Sequence, residues 1–255
     1  MPTLLLTISY DGTNYSGWQV QPNGLAVQQV VEEALEQLLK ERVQVRSSGR
    51  TDAGVHARAM AASFTTSRNL PMQAFVEGTN RFLPADIAVQ SARIVPDGFK
   101  PITMAHAKQY RYTIINSSVR SPLDRLYSWQ VRETLDLDTM VEAASRFVGS
   151  HDFAAFRASN CVAKTTVRRI DSVEITRLGS RITIDVVGGG FLKNMVRVMV
   201  GTLVDIGKGR FMPVDIDRLL LIGDRREAGS TAPACGLCLI QVFYPEKLIS
   251  LPTDV

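Results

Sequence analysis

Disulfide chemistry has almost no material here: the 255 residues hold only three cysteines, at positions 161, 235 and 238. Three thiols make no disulfide framework, which excludes the small secreted scaffolds and favours a reducing, cytoplasmic setting. Long apolar runs are missing as well, and none approaches the roughly 20 residues that cross a bilayer. The opening "MPTLLLTISYDG" lacks the basic lead-in and the small-residue cleavage site of a signal peptide. Short repeats and low-complexity segments are also absent. So are the common nucleotide and hydrolase signatures: no Walker loop, no GxGxxG after a strand, no HExxH and no GxSxG. Two near misses complete the exclusions. Gly188, Gly189 and Gly190 lack the Lys-Ser/Thr that completes a phosphate loop. Cys235 and Cys238 have CxxC spacing, but the further candidates, Cys161, His56, His106 and His151, are not paired at zinc-ligand spacing. Cys238 also leads into a strand, where thioredoxin-type chemistry wants a helix start. Core packing is the expectation for these thiols, and no metal site is expected.

What remains is an ordinary globular composition, 45% hydrophobic and 21% charged, with a net charge of +4 and a pI near 9.1. Arg far outnumbers Lys, and the forked guanidinium suits phosphates and bases. That is a weak pointer to nucleic acid, since many enzymes of anionic metabolites are equally basic. Periodicity predicts strands at "TLLLTIS", "RVQVRSS", "AMAASFTT", "DIAVQSARIV", "AKQYRYTII", "VRRIDSVEIT", "RITIDVV" and "GLCLIQVFY". It predicts helices over 26–40, from Pro71, over 138–148, through "FLKNMVRVMVGTLVDI" and near Pro213. In "AKQYRYTII" the alternation puts Tyr110, Tyr112 and Ile114 on one face, with Gln109, Arg111 and Thr113 on the other. Strands outnumber helices and hairpin-like pairs recur, which favours an α+β fold with mainly antiparallel sheet. "PDGFKP", residues 96–101, is the expected boundary between a half spanning 1–100 and a half spanning 101–255.

The stretch that asks for chemistry is "SSGRTDAGVHA", residues 47–57. Asp52 lies between Gly49 and Gly54, with Arg50 two residues before it. An aspartate in a turn is usually structural, because it bonds nearby amides. A second feature changes that weighting. In "NMVRVMVGTLV" Arg197 is flanked by Met and Val, and a guanidinium on an apolar helix needs an anion. Asp52 beside Arg50 and Arg197 would be a carboxylate held ionised by cations, fit to act as a nucleophile or a base.

"GRTDAGVHA" resembles the signature of the TruA family of tRNA pseudouridine synthases. "YDGTNYSGWQ", "NRFLPADIAV", "KQYRYTI", "DFAAFRAS", "FLKNMVRVMVG" and "GLCL" follow in that family's order and at roughly its spacing. The resemblance implies that Asp52 is the catalytic aspartate and that Arg50 helps expel and replace the target base. It implies that Tyr110 stacks on the uracil, that Arg197 pairs with Asp52, and that Leu237 lines the base pocket. It implies two α+β halves sharing an extended antiparallel sheet, with helices on one side and a central catalytic cleft. The family acts as homodimers on the anticodon stem-loop of tRNA, at positions 38 to 40, without metal or organic cofactor; neither DNA nor a membrane is an implied partner. Asp52 could add to C6 of uracil, attack C1′, or take a proton from C2′. Ile102 stands where the family usually has an arginine, Cys238 replaces a customary tyrosine, and Gly189 replaces a common asparagine. The usual Gln and His after "GRTDAGVHA" are absent from "RAMAASF".

Overall fold

The computed structural model describes residues 1–249. In chain order the first elements are β1 (Thr3–Tyr10), α1 (Val27–Leu39), β2 (Arg46–Ser47), β3 (His56–Thr65), α2 (Met72–Asn80), β4 (Ile87–Val95) and α3 (Pro101–Met104). Next come β5 (Ala107–Asn116), β6 (Trp129–Val131), α4 (Leu137–Ser145), β7 (Gly149–Asp152), β8 (Val167–Leu178) and β9 (Arg181–Gly188). The chain closes with α5 (Met195–Gly207), α6 (Asp215–Ile222), β10 (Leu237–Phe243) and α7 (Glu246–Ile249). The fold is α+β; β1 with β3 and β4, β2 with β3, β5 with β9, and β8 with β7 and β9 pair antiparallel, and β5 with β6 pairs parallel. No helix among the described residues is long and apolar enough to cross a membrane.

The chain forms two compact units, one of residues 1–107 with the chain from Leu239 on, the other of Lys108–Cys238. In the first unit the strands lie in the order β4-β1-β3-β10, and β2 pairs with β3. The unbroken apolar run of β1 is explained by burial on both of its faces. Leu4, Leu6 and Ile8 are fully buried, as are Val31 and Leu35 of α1. On the opposite face Leu5 joins Ala61, Val95, Phe99 and Tyr244. Asn80, at the end of α2, holds β4 by both sides of its amide. It donates to the Val89 carbonyl (2.9 Å) and accepts from the Val89 N–H (2.7 Å).

In the second unit the order is β5-β9-β8-β7, with β6 on β5. The face carrying Tyr112, Ile114, Ile182, Ile184 and Val186 is buried, as the alternation predicts. Every residue of α5 is buried except Arg197. Asp136 caps α4, its carboxylate accepting from the N–H groups of Asp138 (3.0 Å) and Thr139 (3.2 Å).

Three predicted elements differ from the structure. Only Arg46–Ser47 of "RVQVRSS" pairs as a strand. Helix α1 takes the preceding backbone instead: Glu32 Oε1 accepts the Val45 N–H (2.9 Å) and Gln28 Nε2 donates to the Val45 carbonyl (3.2 Å). Once its polar groups are met by side chains, that segment needs no ladder. The helix expected to reach residue 148 ends at Ser145. The N–H groups of Arg146, Phe147 and Val148 each reach back three residues, and Gly149 at φ +120° leads the chain away. The helix expected from Phe191 starts at Met195, because Asn194 holds the left-handed conformation at φ +62°.

Candidate active site

The loop bearing Asp52 is held by its neighbour from residues 10–18. Trp18 N–H donates to the Thr51 carbonyl (3.2 Å), and Gly54 N–H donates to the Tyr15 carbonyl (3.3 Å). The Tyr10 hydroxyl lies 2.8 Å from Thr51 Oγ1. Within the loop, Val55 N–H donates to the Asp52 carbonyl at 3.1 Å. That turn places Gly54 at φ +76°, a value glycine adopts without strain. Asp52 itself is partly buried, while Arg50 is exposed. Among the described residues Arg50 has neither an ion pair nor a side-chain hydrogen bond, which leaves its guanidinium to solvent or ligand.

The two glycines of "YDGTNYSGW" allow this close seating. A Cβ at Gly17 would lie 2.5 Å from the Thr51 carbonyl oxygen, and one at Gly12 would collide with the Val55 carbonyl. His56 fixes the far end of the loop. Its Nδ1 stands 3.0 Å from the Gly12 nitrogen and 3.1 Å from Asp11 Oδ1, so either charge state of the imidazole has a partner. Asp86 anchors the loop from below. Its carbonyl accepts the Asp11 N–H (2.9 Å) and its carboxylate accepts the Tyr15 hydroxyl (2.7 Å). Burial, reinforced by that carboxylate, pushes the Tyr15 phenol well above its ordinary pKa, so it stays a donor. In the sequence His56 stands out only as a candidate metal ligand, and Tyr10, Asp11, Gly12, Gly17 and Asp86 are not marked individually as parts of the site. The signal available was the pair of glycines in one motif facing a glycine-bounded loop in another.

Tyr110, Arg197 and Leu237 belong to the second unit. Tyr110 is 8% exposed, and its ring meets Phe191 edge-on with centroids 5.0 Å apart. Two residues on, the Tyr112 hydroxyl donates to the Pro233 carbonyl (2.8 Å). Its ring lies over Gly236, where a Cβ would be 2.5 Å from Cζ, and burial raises its pKa strongly. This contact locks "YRY" to "GLCL" and leaves Leu237 buried at the start of β10. Arg197 is oriented from two sides: Nε donates to the Ala232 carbonyl (2.7 Å) and Nη1 to Asn194 Oδ1 (3.1 Å). The Arg197 carbonyl in turn accepts the Ala232 N–H (3.1 Å). On the other face of β5, Arg111 and Gln109 both bond Asp185, at 3.0 and 2.8 Å.

Burial raises the Cys235 thiol above its ordinary pKa, and its sulfur donates to the Ser128 carbonyl (3.4 Å). A thiol held protonated is a poor metal ligand or nucleophile. Of the positions that depart from the TruA pattern, Ile102 and Gly189 are exposed and Cys238 is partly buried.

A family model described as tRNA pseudouridine synthase matches residues 6–101 and 143–245. The chain belongs to that family. It is 69% identical to "tRNA pseudouridine synthase A" of Pelobacter propionicus over 244 residues, 96% of this chain and 100% of the relative. The protein of the same name from Geotalea uraniireducens is 56% identical over the same coverage of both chains. That from Geobacter sulfurreducens is 54% identical, again over 96% of this chain and 100% of the relative. The tRNA pseudouridine synthases are an isomerase family. The first matched stretch contains the "GRTDAGVHA" loop and the second contains Phe191, Arg197 and Leu237, while the "YRY" strand lies between the two.

Proposed function

We propose that this chain isomerises uridine to pseudouridine in the anticodon stem-loop of tRNAs, at positions 38 to 40, in the cytoplasm. The observation that carries the reading is the loop of Asp52, a carboxylate on a backbone clamped by "YDGTNYSGW" in a chain of this family. The reaction cleaves an N-glycosidic bond, turns the uracil and rejoins it through C5, so it has no redox change and needs no energy input. Neither a metal nor an organic cofactor is called for. Asp52 is the ionised carboxylate next to the nucleoside, acting at C6, C1′ or C2′, and Arg197 pairs with it to keep it ionised.

Removing the base from its stack costs a few kcal/mol, and an aromatic platform offsets part of that. Tyr110 supplies the platform; its edge-on contact with Phe191 supports a ring held in one orientation for a base to stack on. Arg50, exposed and unpaired, takes the place of the expelled base, and Leu237 lines the pocket. The chain acts as a homodimer, one subunit gripping tRNA while the other supplies Asp52.

Isomerisation leaves the mass unchanged, so the test is tritium release from 5-tritiated uridine in tRNA, with carbodiimide mapping of the product. Release confined to the anticodon stem-loop is expected. Tight tRNA binding without release would instead identify a non-catalytic tRNA-binding relative.

A further inference from the structure

One corner of the second unit gathers cations that face no carboxylate. Lys108 and Tyr110 are two residues apart on β5, so their side chains leave the same face, about 7 Å apart. Lys108 is in register with Gly188 of β9, and Gly188 with Ile170 of β8. Arg168, two residues before Ile170, shares that face. Past Gly188 the chain turns through Gly189, whose N–H donates to the Arg169 carbonyl at 3.0 Å. A Cβ at Gly190 would touch Arg168 Cδ at 3.7 Å. Phe191 then returns against Tyr110, and Lys193 is exposed. Arg168 spends Nη1 on the carbonyls of Thr165 (3.0 Å) and Val167 (2.6 Å). Among the described residues neither it nor Lys108 nor Lys193 has an ion pair; the nearest carboxylate in sequence, Asp171, is taken by Arg169 at 2.8 Å.

Lys108 is the costly member. It is partly buried, and the loss of water around its ammonium lowers its pKa to about 8. A desolvated ammonium with no anion weakens a fold, and a methionine of similar length would pack there without that penalty. The folded chain alone gives the charge nothing to do. An anion arriving with substrate does, and the neighbouring aromatic pair identifies which.

Resting on the reading of this chain as a tRNA uridine isomerase, we infer that Lys108, flanked by Arg168 and Lys193, forms a phosphate subsite. It receives the RNA backbone phosphodiester beside the nucleotide whose base stacks on Tyr110. The spacing of Lys108 and Tyr110 along β5 is on the scale of the reach from a base to its own phosphate. Binding there fixes the sugar while the uracil turns, and the phosphodiester gives the ammonium the anion that the folded chain does not.

The test compares wild type with Lys108→Met and Lys108→Arg in tRNA affinity across salt, tritium-release kinetics and thermal unfolding. Lys108→Met is expected to weaken tRNA binding about tenfold near 0.1 M salt. It should flatten the slope of log affinity against log salt by about 0.7–0.9, the loss of one phosphate contact. kcat/KM should fall at least tenfold, while the melting temperature stays at or above that of wild type. Lys108→Arg should restore the salt slope and most of the rate. A Met variant with the wild-type slope and rate overturns the inference. So does one that melts several degrees lower with its slope unchanged, for Lys108 would then be a packing group. Absence of tritium release by the wild type would instead count against the isomerase reading, and the salt slopes would still decide the subsite on their own.

Discussion

Gly17 holds its backbone at φ +99° with the Thr51 carbonyl 2.5 Å from where a Cβ would be, so the Asp52 loop rests on a position only glycine fills. Gly17→Ala is expected to cost about 2 kcal/mol or more, from the left-handed backbone and the displaced carbonyl together. Denaturant unfolding checks the cost. Because the displaced atom is one residue from Asp52, kcat for uridine isomerisation should fall more than tRNA affinity does. Lys108 gives a second prediction at this scale. Its folded pKa, about 8, lies below its ordinary 10.5, so between these values the unfolded chain binds the proton and the folded chain does not. Stability contributed at this site therefore rises with pH across that window. Lys108→Met should be more stable than wild type below pH 8, with the advantage fading by about pH 10.5. Comparing the two proteins cancels the phenols of Tyr15, Tyr112 and Tyr244, whose burial raises their pKa in both. An advantage that does not vary with pH would contradict the account. Arg197 could be singled out from sequence because a guanidinium on an apolar helix violates a local rule, and it drew attention to Asp52 and Arg50 as its candidate partners in a glycine-bounded loop. Lys108 could not, because a lysine in an alternating strand reads as solvated until the burial around it is seen.

Helix α5 is the element on which the proposed pairing turns. Its period was legible because nearly every position is apolar, whereas its start was not. Asn194 stops the helix by adopting φ +62°, a conformation Asn tolerates better than most residues, and the same side chain accepts from Arg197. Two variants separate these roles. Asn194→Gly keeps the backbone and removes the acceptor, while Asn194→Ala loses both. Each is expected to lower kcat/KM severalfold, but only the Ala variant should lose stability, by about 1 kcal/mol. Wild-type kinetics in Asn194→Gly would mean that this bond does not orient Arg197. Elsewhere, β1, α1, β5 and β9 follow from periodicity, whereas 42–45 alternates like a strand and is not one. Side chains from α1 took its hydrogen bonds, a tertiary substitution that no local pattern announces. β6 and β7, three and four residues long, are too short for a period to register.

For the whole molecule, the Arg-rich charge and the isomerase reading together imply binding through phosphates. tRNA affinity should fall steeply as salt rises; a flat dependence would remove the electrostatic basis for RNA binding. The homodimer is checked by sedimentation at micromolar concentration, where a fully active stable monomer would rule out division of labour between subunits. Chain order hides one feature of this scale: β10, near the end of the sequence, lies beside β3 from the first quarter, and such long-range pairing leaves no local trace. Two of the family motifs were nevertheless readable across this distance, because they mark close backbone approaches, at Gly12 and Gly17 in one and Gly236 in the other. The most direct test of the central claim is tritium release from 5-tritiated tRNA by Asp52→Asn, which keeps the side chain's size and removes its charge. The account expects no release above background, with tRNA affinity within a few fold of wild type. Sustained turnover by a clean preparation of that variant would contradict it.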